Sequence, residues 1–517
     1  MIKRILLALL LLWAIPAQAA DETLHFRLGE DPETLFSAKT VSLTANQVIG
    51  AYLLDRLVYF DAEGHPQPWL ATSWTISPDQ KVLTFKLRTG IKFTDGTDFN
   101  AQAAKYNYDW ILDKKNASPI LSRIGSLQKV DAPDDTTLIF TFDKPFAPFF
   151  SYLAGASFGI NSPTAMAKYG EQYGRNPVGT GPYMLKSWVP GTEITFVRNP
   201  NYKQFRGDAL NKGLPYASTV VLTVISEEAV AQAALESGEL TAGSVAADAI
   251  DNLLQNPNLK VVINKTVTNL LFLEFNETHP PFDDARARRA VGYTLNREAI
   301  VKAAFNSYAH PMLGPMANGI PGYDAAVGEK LGTKFSPEKA KALFAESGYK
   351  PGPGGKLAKD GKPLSLSLKS YSGFETINRT LSVIQSNLAD IGIESKIETA
   401  DWGSFYPSLL KPDWDMDLMR WTSSDASVLT SIARSPGHRN MTLANARQDE
   451  ILDRCQTLVD QAQRNGCVVE AQTSLLETAT FAPILSDWLI TITQANVKGY
   501  HLDYFNGVIV GDIQTGG

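Results

Sequence analysis

Apolar and polar residues alternate through Leu24-His25-Phe26-Arg27-Leu28, the two-residue period of a strand. A polar, turn-rich stretch follows to about Ser42, and a helix is expected over roughly 45–57. Trp74-Thr75-Ile76 and Val82-Leu83-Thr84-Phe85-Lys86-Leu87 flank the polar Ser77-Pro78-Asp79-Gln80, so these segments read as a hairpin. Asn100 is placed to cap a helix over 101–115, whose Ala104, Tyr108 and Ile111 share one stripe. Together these elements mark 60–178 as a small α+β unit. Strands are expected at 193–197, 220–225 and 270–275, with a helix at about 227–237 ending at Gly238. One long helix is expected from Asp284 through Phe305.

The second half holds the clearest pattern. Leu364-Ser365-Leu366-Ser367-Leu368 alternates strictly and predicts a strand. Ile377, Leu381, Ile384, Leu388 and Ile391 then fall on one helical face, and alternation resumes over 393–399. Strand, helix and strand at this spacing make two parallel strands covered by a helix. Small ligands lie beyond the carboxyl ends of such strands, which singles out the loop Lys369-Ser370-Tyr371-Ser372-Gly373.

The amino terminus adds a compartment. Lys3 and Arg4 precede an apolar run over 5–15, Pro16 ends it, and Ala17-Gln18-Ala19 offers small residues to a signal peptidase. The run is shorter than the ~20 residues a span needs, so residues 1–19 are expected to be a cleaved leader, cut near Ala19. No cysteine stands at that point to take a lipid. Composition is that of a globular protein, 44% hydrophobic and 20% charged. The formal net charge is -6, and loss of Lys3 and Arg4 makes it two units more negative, which argues against nucleic acid or an anionic membrane as partner. The length calls for two or three domains. The two cysteines, Cys455 and Cys467, are free to pair in an oxidising compartment.

Few short motifs in the chain carry possible chemistry. Gly155-Ala156-Ser157-Phe158-Gly159 matches G-x-S-x-G, but a nucleophile elbow needs a helix directly after it. Here Ile160-Asn161 intervene, and Ser162-Pro163 reads as the cap and first turn of a later helix. A glycine-rich loop lining a cleft is the better account, with a secreted serine hydrolase using Ser157 as the competing class. Ser336 with Lys339 resembles S-x-x-K, yet Ser336-Pro337 opens a helix. Asp360-Gly361 reads as a hairpin turn. His25, His65, His279, His310, His438 and His501 are dispersed, so no metal site or cofactor is expected. Nothing in the sequence assembles an acid, a base and a nucleophile, so the chain is read as a binder and not an enzyme. Aromatics are the positive signal: Trp402, Phe405, Tyr406, Trp414 and Trp421 crowd a short stretch, and Trp488 returns later. Trp421 follows the strand-like Met416-Asp417-Leu418-Met419-Arg420 and precedes Thr422-Ser423-Ser424-Asp425, a flat apolar face beside hydroxyls and a carboxylate.

Several longer stretches resemble the family 5 extracellular solute-binding proteins, whose members bind peptides, nickel or opines for ABC importers. They are Leu70-Ala71-Thr72-Ser73-Trp74 through Phe85-Lys86-Leu87-Arg88-Thr89-Gly90-Ile91-Lys92-Phe93-Thr94-Asp95-Gly96, then Pro177-Val178-Gly179-Thr180-Gly181-Pro182-Tyr183, and Arg198-Asn199-Pro200-Asn201-Tyr202. Phe282-Asp283-Asp284 with Arg286, Arg289-Ala290 and Asn296-Arg297 completes the set, where the family more often has Asp-Arg. The resemblance implies an α/β, two-lobed periplasmic-binding-protein fold of type II, cluster C, with an extra α+β subdomain in the first lobe. Expected bounds are 20–265 for lobe I, with its insert at 60–178, 266–484 for lobe II, and a return to lobe I over 485–517. It further implies a periplasmic, mostly monomeric protein that closes on a small polar solute and passes it to inner-membrane permease subunits. Ligand contacts are expected from the loop around 37–44 and from Ser157, Phe158, Lys369, Tyr371, Ser372, Arg420, Trp421, Ser424 and Asp425. Peptide-binding relatives carry an aspartate three residues after the equivalent of Trp421, where this chain has Ser424 and then Asp425. That departure favours a short peptide held differently or an opine- or sugar-amino-acid-like compound, with a nickel chelate as a further alternative.

Overall fold

The computed structural model describes residues 22–435 and 442–516; the leader expected at 1–19 and His438 lie outside the described residues. Two large sheets organise the chain. The first has seven strands in the order Leu259–Asn264, Leu489–Gln494, Ala242–Gly243, Thr23–Leu28, Thr219–Val224, Glu193–Arg198 and Tyr183–Val189. Thr23–Leu28 runs parallel to Thr219–Val224, with Leu24 opposite Val220 and Phe26 opposite Leu222, so that one apolar face is continuous. The second has six strands in the order Ala309–Pro311, Phe481–Asp487, Asn269–Phe275, Met416–Thr422, Ser365–Tyr371 and Glu394–Ala400.

The chain passes between the sheets twice. Residues 265–268 lead from Leu259–Asn264 to Asn269–Phe275, and Trp488 alone separates Phe481–Asp487 from Leu489–Gln494. The return was expected at 485, but the strand stays paired with the second sheet through Asp487. Asn269 Nδ2 donates to the Asp487 carbonyl at 2.9 Å and holds it there.

A four-stranded antiparallel sheet, ordered Ala71–Ile76, Val82–Leu87, Thr137–Phe142 and Leu127–Asp134, forms a separate layer of the first lobe. The helix Ala101–Leu112 covers it, its first turn capped by Asn100, whose side chain accepts from Ala103 N. Tyr108 of that helix meets Phe140 edge-on at 4.8 Å. Within the first lobe, the Gly179-Thr180-Gly181 segment packs so closely on the chain at Leu53 that a Cβ at Gly181 would lie 2.5 Å from the Leu53 carbonyl. That motif is a packing requirement.

The strand, helix and strand of the second lobe form as the periodicity demands: Ser365–Tyr371, Glu375–Ala389 and Glu394–Ala400, the strands parallel and Ile377, Leu381, Ile384 and Leu388 buried beneath the helix. Asp360 and Gly361 take φ of 52° and 77°, the left-handed pair a two-residue hairpin needs. Three expected helices differ: the one expected over 101–115 ends at Leu112, where Asp113 turns extended. The helix expected from Asp284 to Phe305 is broken into Ala285–Thr294 and Arg297–Phe305. Leu295 is extended, and the Asn296 side chain accepts from Ala299 N, so a new cap outcompetes continuation. The helix expected over 45–57 spans Leu43–Val48, capped by Ser42, and passes into a wider turn over Ile49–Leu53.

Candidate functional site

Side chains of the two lobes meet along a seam. On the first lobe, a short 3-10 turn, Leu121–Ile124, presents Arg123, and another, Ala156–Phe158, presents Ser157. Arg123 Nη1 donates to Ser157 Oγ at 3.1 Å, and Ser157 Oγ donates to Asn46 Oδ1 at 2.9 Å. Asn46 belongs to the helix after the 37–44 loop, and its own amide donates to the Ser42 carbonyl at 2.8 Å. Phe158, expected at the ligand, is buried between Tyr108 and Tyr152 and packs the subdomain.

On the second lobe, the loop after Met416–Thr422 folds on itself. Ser423 Oγ accepts from Asp425 N at 3.2 Å, and Asp425 Oδ1 accepts from Ser427 N at 2.8 Å. This turn aims the Asp425 carboxylate inward, where it is 1% exposed. Arg464 grips it with two N–H···O bonds, 2.7 Å to Oδ2 and 2.6 Å to Oδ1, and Ser151 of the first lobe donates to Oδ2 at 2.8 Å. Burial pushes the Asp425 pKa up, but the Arg464 charge and hydrogen bonds outweigh it and hold the carboxyl at about 2. All of its lone pairs in reach are spent within the protein. Asp425 therefore joins the lobes, a role different from the ligand anchor expected of it.

Further contacts cross the same seam. Tyr152 Oη lies 3.4 Å from Ser427 Oγ, Ala147 N donates to the Gln456 carbonyl at 2.8 Å, and Val459 N donates to Gln80 Oε1 at 3.2 Å. Arg464 itself is fixed by a disulfide between Cys455 and Cys467, whose loop contains it, and by Nε donating to the Cys455 carbonyl at 3.2 Å.

The other expected residues gather at the carboxyl ends of the second lobe's strands. Tyr371 is buried against Phe374, Trp402 and Phe405, and burial pushes its phenol up to about 12. Arg420 pairs with Asp487 at 2.8 Å, and both charges reach Tyr371. Trp421 is partly buried and lines a small pocket with Leu270, Met316, Ile320 and Val428. Ser372 is exposed, and Ser424 half-buried on the same rim. Lys369 points the other way, toward Asp413 at 3.4 Å, and lies away from this group. Sequence reasoning missed Arg123, Asn46, Ser151, Tyr152 and Arg464. None sits in a motif, and the partners that place them at the seam lie from 34 to 275 residues away.

The family model described as bacterial extracellular solute-binding proteins, family 5 Middle, matches residues 65–441. The chain belongs to that family. A family 5 protein of this kind is the substrate-binding component of an ABC importer. The glutathione-binding protein GsiB of Shigella flexneri is 28% identical over 471 residues, covering 88% of each chain. The binding protein AgaA of A. tumefaciens R10, solved with agropinic acid, has a TM-score of 0.76 at 26% identity, covering 96% of this chain and 99% of that one. NikA of Brucella suis, solved with Fe(III)-EDTA, reaches a TM-score of 0.86 at 22% identity over 96% of this chain and 100% of that one, a likeness of fold. These relatives are solute-binding proteins. No helix among the described residues is long and apolar enough to cross a membrane.

Proposed function

We propose that this family 5 protein works in the periplasm as a monomer, takes a small polar solute into the seam between its lobes, and carries it to the permease. The observation that carries this reading is the Ser151–Asp425–Arg464 junction, at which the two lobes meet through hydrogen bonds to one carboxylate. The surrounding contacts are single hydrogen bonds, each worth ~1 kcal/mol net. A seam closed so weakly is set by whatever bridges it: a solute touching both walls stabilises the closed form by its differential affinity. Trp421, Tyr371, Ser372, Ser424 and Arg420 supply the second lobe's share of that surface, a flat ring beside polar groups.

The hydrolase reading of Ser157 finds no support in its surroundings. Its hydroxyl proton goes to the Asn46 amide oxygen and its lone pair takes an arginine N–H, and neither partner is a general base. Given the relatives, the solutes to try first are glutathione, agropinic acid and short peptides. Calorimetric titration with these, paired with small-angle scattering, tests the reading: binding should come with a smaller radius of gyration. Binding with unchanged dimensions, or labelling of Ser157 by a fluorophosphonate, would refute it.

A further inference from the structure

Five arginines are buried in the described structure, and each spends its guanidinium on strong acceptors. Arg206 pairs with Asp208 and Asp503, Arg464 with Asp425, and Arg288 with Glu277 and the Phe282, Thr478 and Ala479 carbonyls. Arg56 donates to the Gly50 carbonyl at 2.8 Å, and Arg297 to the Pro483 and Thr333 carbonyls at 2.8 and 2.7 Å. Arg123 differs. It is half-buried, and among the described residues its one hydrogen bond goes to a neutral hydroxyl, Ser157 Oγ, with no carboxylate in ion-pair range. A guanidinium offers five N–H donors in a rigid fork, so most of its capacity has no protein acceptor. Burial pushes Arg123 below its ordinary value, and Tyr152, a phenol that burial keeps neutral, faces it.

Its placement is equally specific. Ser42 holds Asn46, Asn46 orients the Ser157 hydroxyl, and that hydroxyl turns its lone pair to Arg123, so the guanidinium is aimed by a relay of three bonds. Tyr152, beside it, reaches Ser427 on the opposite lobe. An uncompensated cation, oriented and partly desolvated at the seam, is a site waiting for an anion.

We infer that Arg123 binds a carboxylate of the captured solute, with Ser157 and Asn46 as positioning residues; this deepens the solute-capture reading and rests on it. The ligand class is then a small molecule bearing at least one carboxylate, such as a peptide terminus or an opine acid, because a planar carboxylate accepts two parallel N–H bonds from one guanidinium.

The test uses wild-type protein, Arg123→Gln and Arg123→Lys, each titrated with glutathione, agropinic acid and Met-Leu. Each is also incubated with a bacterial small-molecule extract whose retained compounds are read by mass spectrometry. The expected result is a retained or titrated ligand carrying a carboxylate, binding about 30- to 100-fold weaker to Arg123→Gln, with partial recovery in Arg123→Lys. On wild-type protein alone, the carboxamide of that ligand should lose a similar factor, which reads the contact even where a variant folds poorly. A bound compound without a carboxylate overturns the inference while leaving solute capture standing. So does a carboxylate ligand that binds Arg123→Gln as tightly as wild type. Wild-type protein that retains nothing from either source overturns both.

Discussion

On the second lobe's wall, Asp425 meets Arg464 and Arg420 meets Asp487, so each charge is answered from its own lobe. On the first lobe's wall, Arg123 hydrogen-bonds, among the described residues, to the hydroxyl of Ser157 alone. The difference separates two uses of charge. A buried pair with good geometry fixes the position of what it joins, and it takes desolvation of both partners to build. An unanswered cation leaves that interaction to be made later, by whatever enters. The second wall is a finished support, and the first is a receptor surface.

That contrast can be broken most strongly at Arg464. Replacing it with Met strands the Asp425 carboxylate, 1% exposed, without its cation. Removing one partner of such a pair costs ~3–5 kcal/mol, so Arg464→Met should lower the urea midpoint clearly. Equal stability of variant and wild type would show that the pair does not hold the seam. Next in size is the disulfide. Cys455 and Cys467 lie 12 residues apart, and closing a loop of that length is worth ~3 kcal/mol. The double change Cys455→Ser with Cys467→Ser should lower the melting temperature and make it insensitive to dithiothreitol.

Acid should separate the two lobes' carboxyls. Asp425 has a folded pKa depressed to about 2, so its stabilisation is present above the ordinary value near 4 and is lost as pH falls through 2. Asp55, buried in the first lobe, has the opposite sign. Burial raises it to about 6, against the Thr180 hydrogen bond and the Arg56 charge. The folded form then holds a proton the unfolded chain has released. Stability should therefore rise by ~2–3 kcal/mol as pH falls from above 6 toward 4, then drop near 2. Asp55→Asn should flatten the upper limb only, read by chemical denaturation at stepped pH. The smallest effect belongs to Ser424, half-buried on the rim: Ser424→Ala should change stability by less than ~0.5 kcal/mol, so any larger change would mean that it holds the loop itself.

Much of the architecture could be read from period alone. Ile377 to Leu388 announces its helix because those residues are buried on one side, although Ile391, expected on the same face, falls in the turn after Ala389; the strands beside it alternate for the same reason. The break at Leu295–Asn296 escaped that logic, since apolar spacing continues across it and only the Asn296 side chain decides the matter. The site was less legible. Trp421, Tyr371 and Ser372 do converge at the strand ends, because a parallel pair fixes where its carboxyl ends point. Asp425 looked available because its partner, Arg464, is 39 residues further on, beyond the helices Ser427–Ala433 and Ala446–Thr457. Lys369 looked available because alternation tells a face and not a direction, and Asp413 draws it backward. Arg123 gave no signal, as its significance is a missing partner, and that is a property of folded space.

The seven-stranded sheet places Leu489–Gln494 inside it, between Leu259–Asn264 and Ala242–Gly243, although some 220 residues of the other lobe separate them in the chain. A nascent chain that has emerged only as far as Asp487 would expose two strand edges with nothing to pair against. The lobe that begins the polypeptide is thus the last to be completed, and its assembly waits on the lobe made after it.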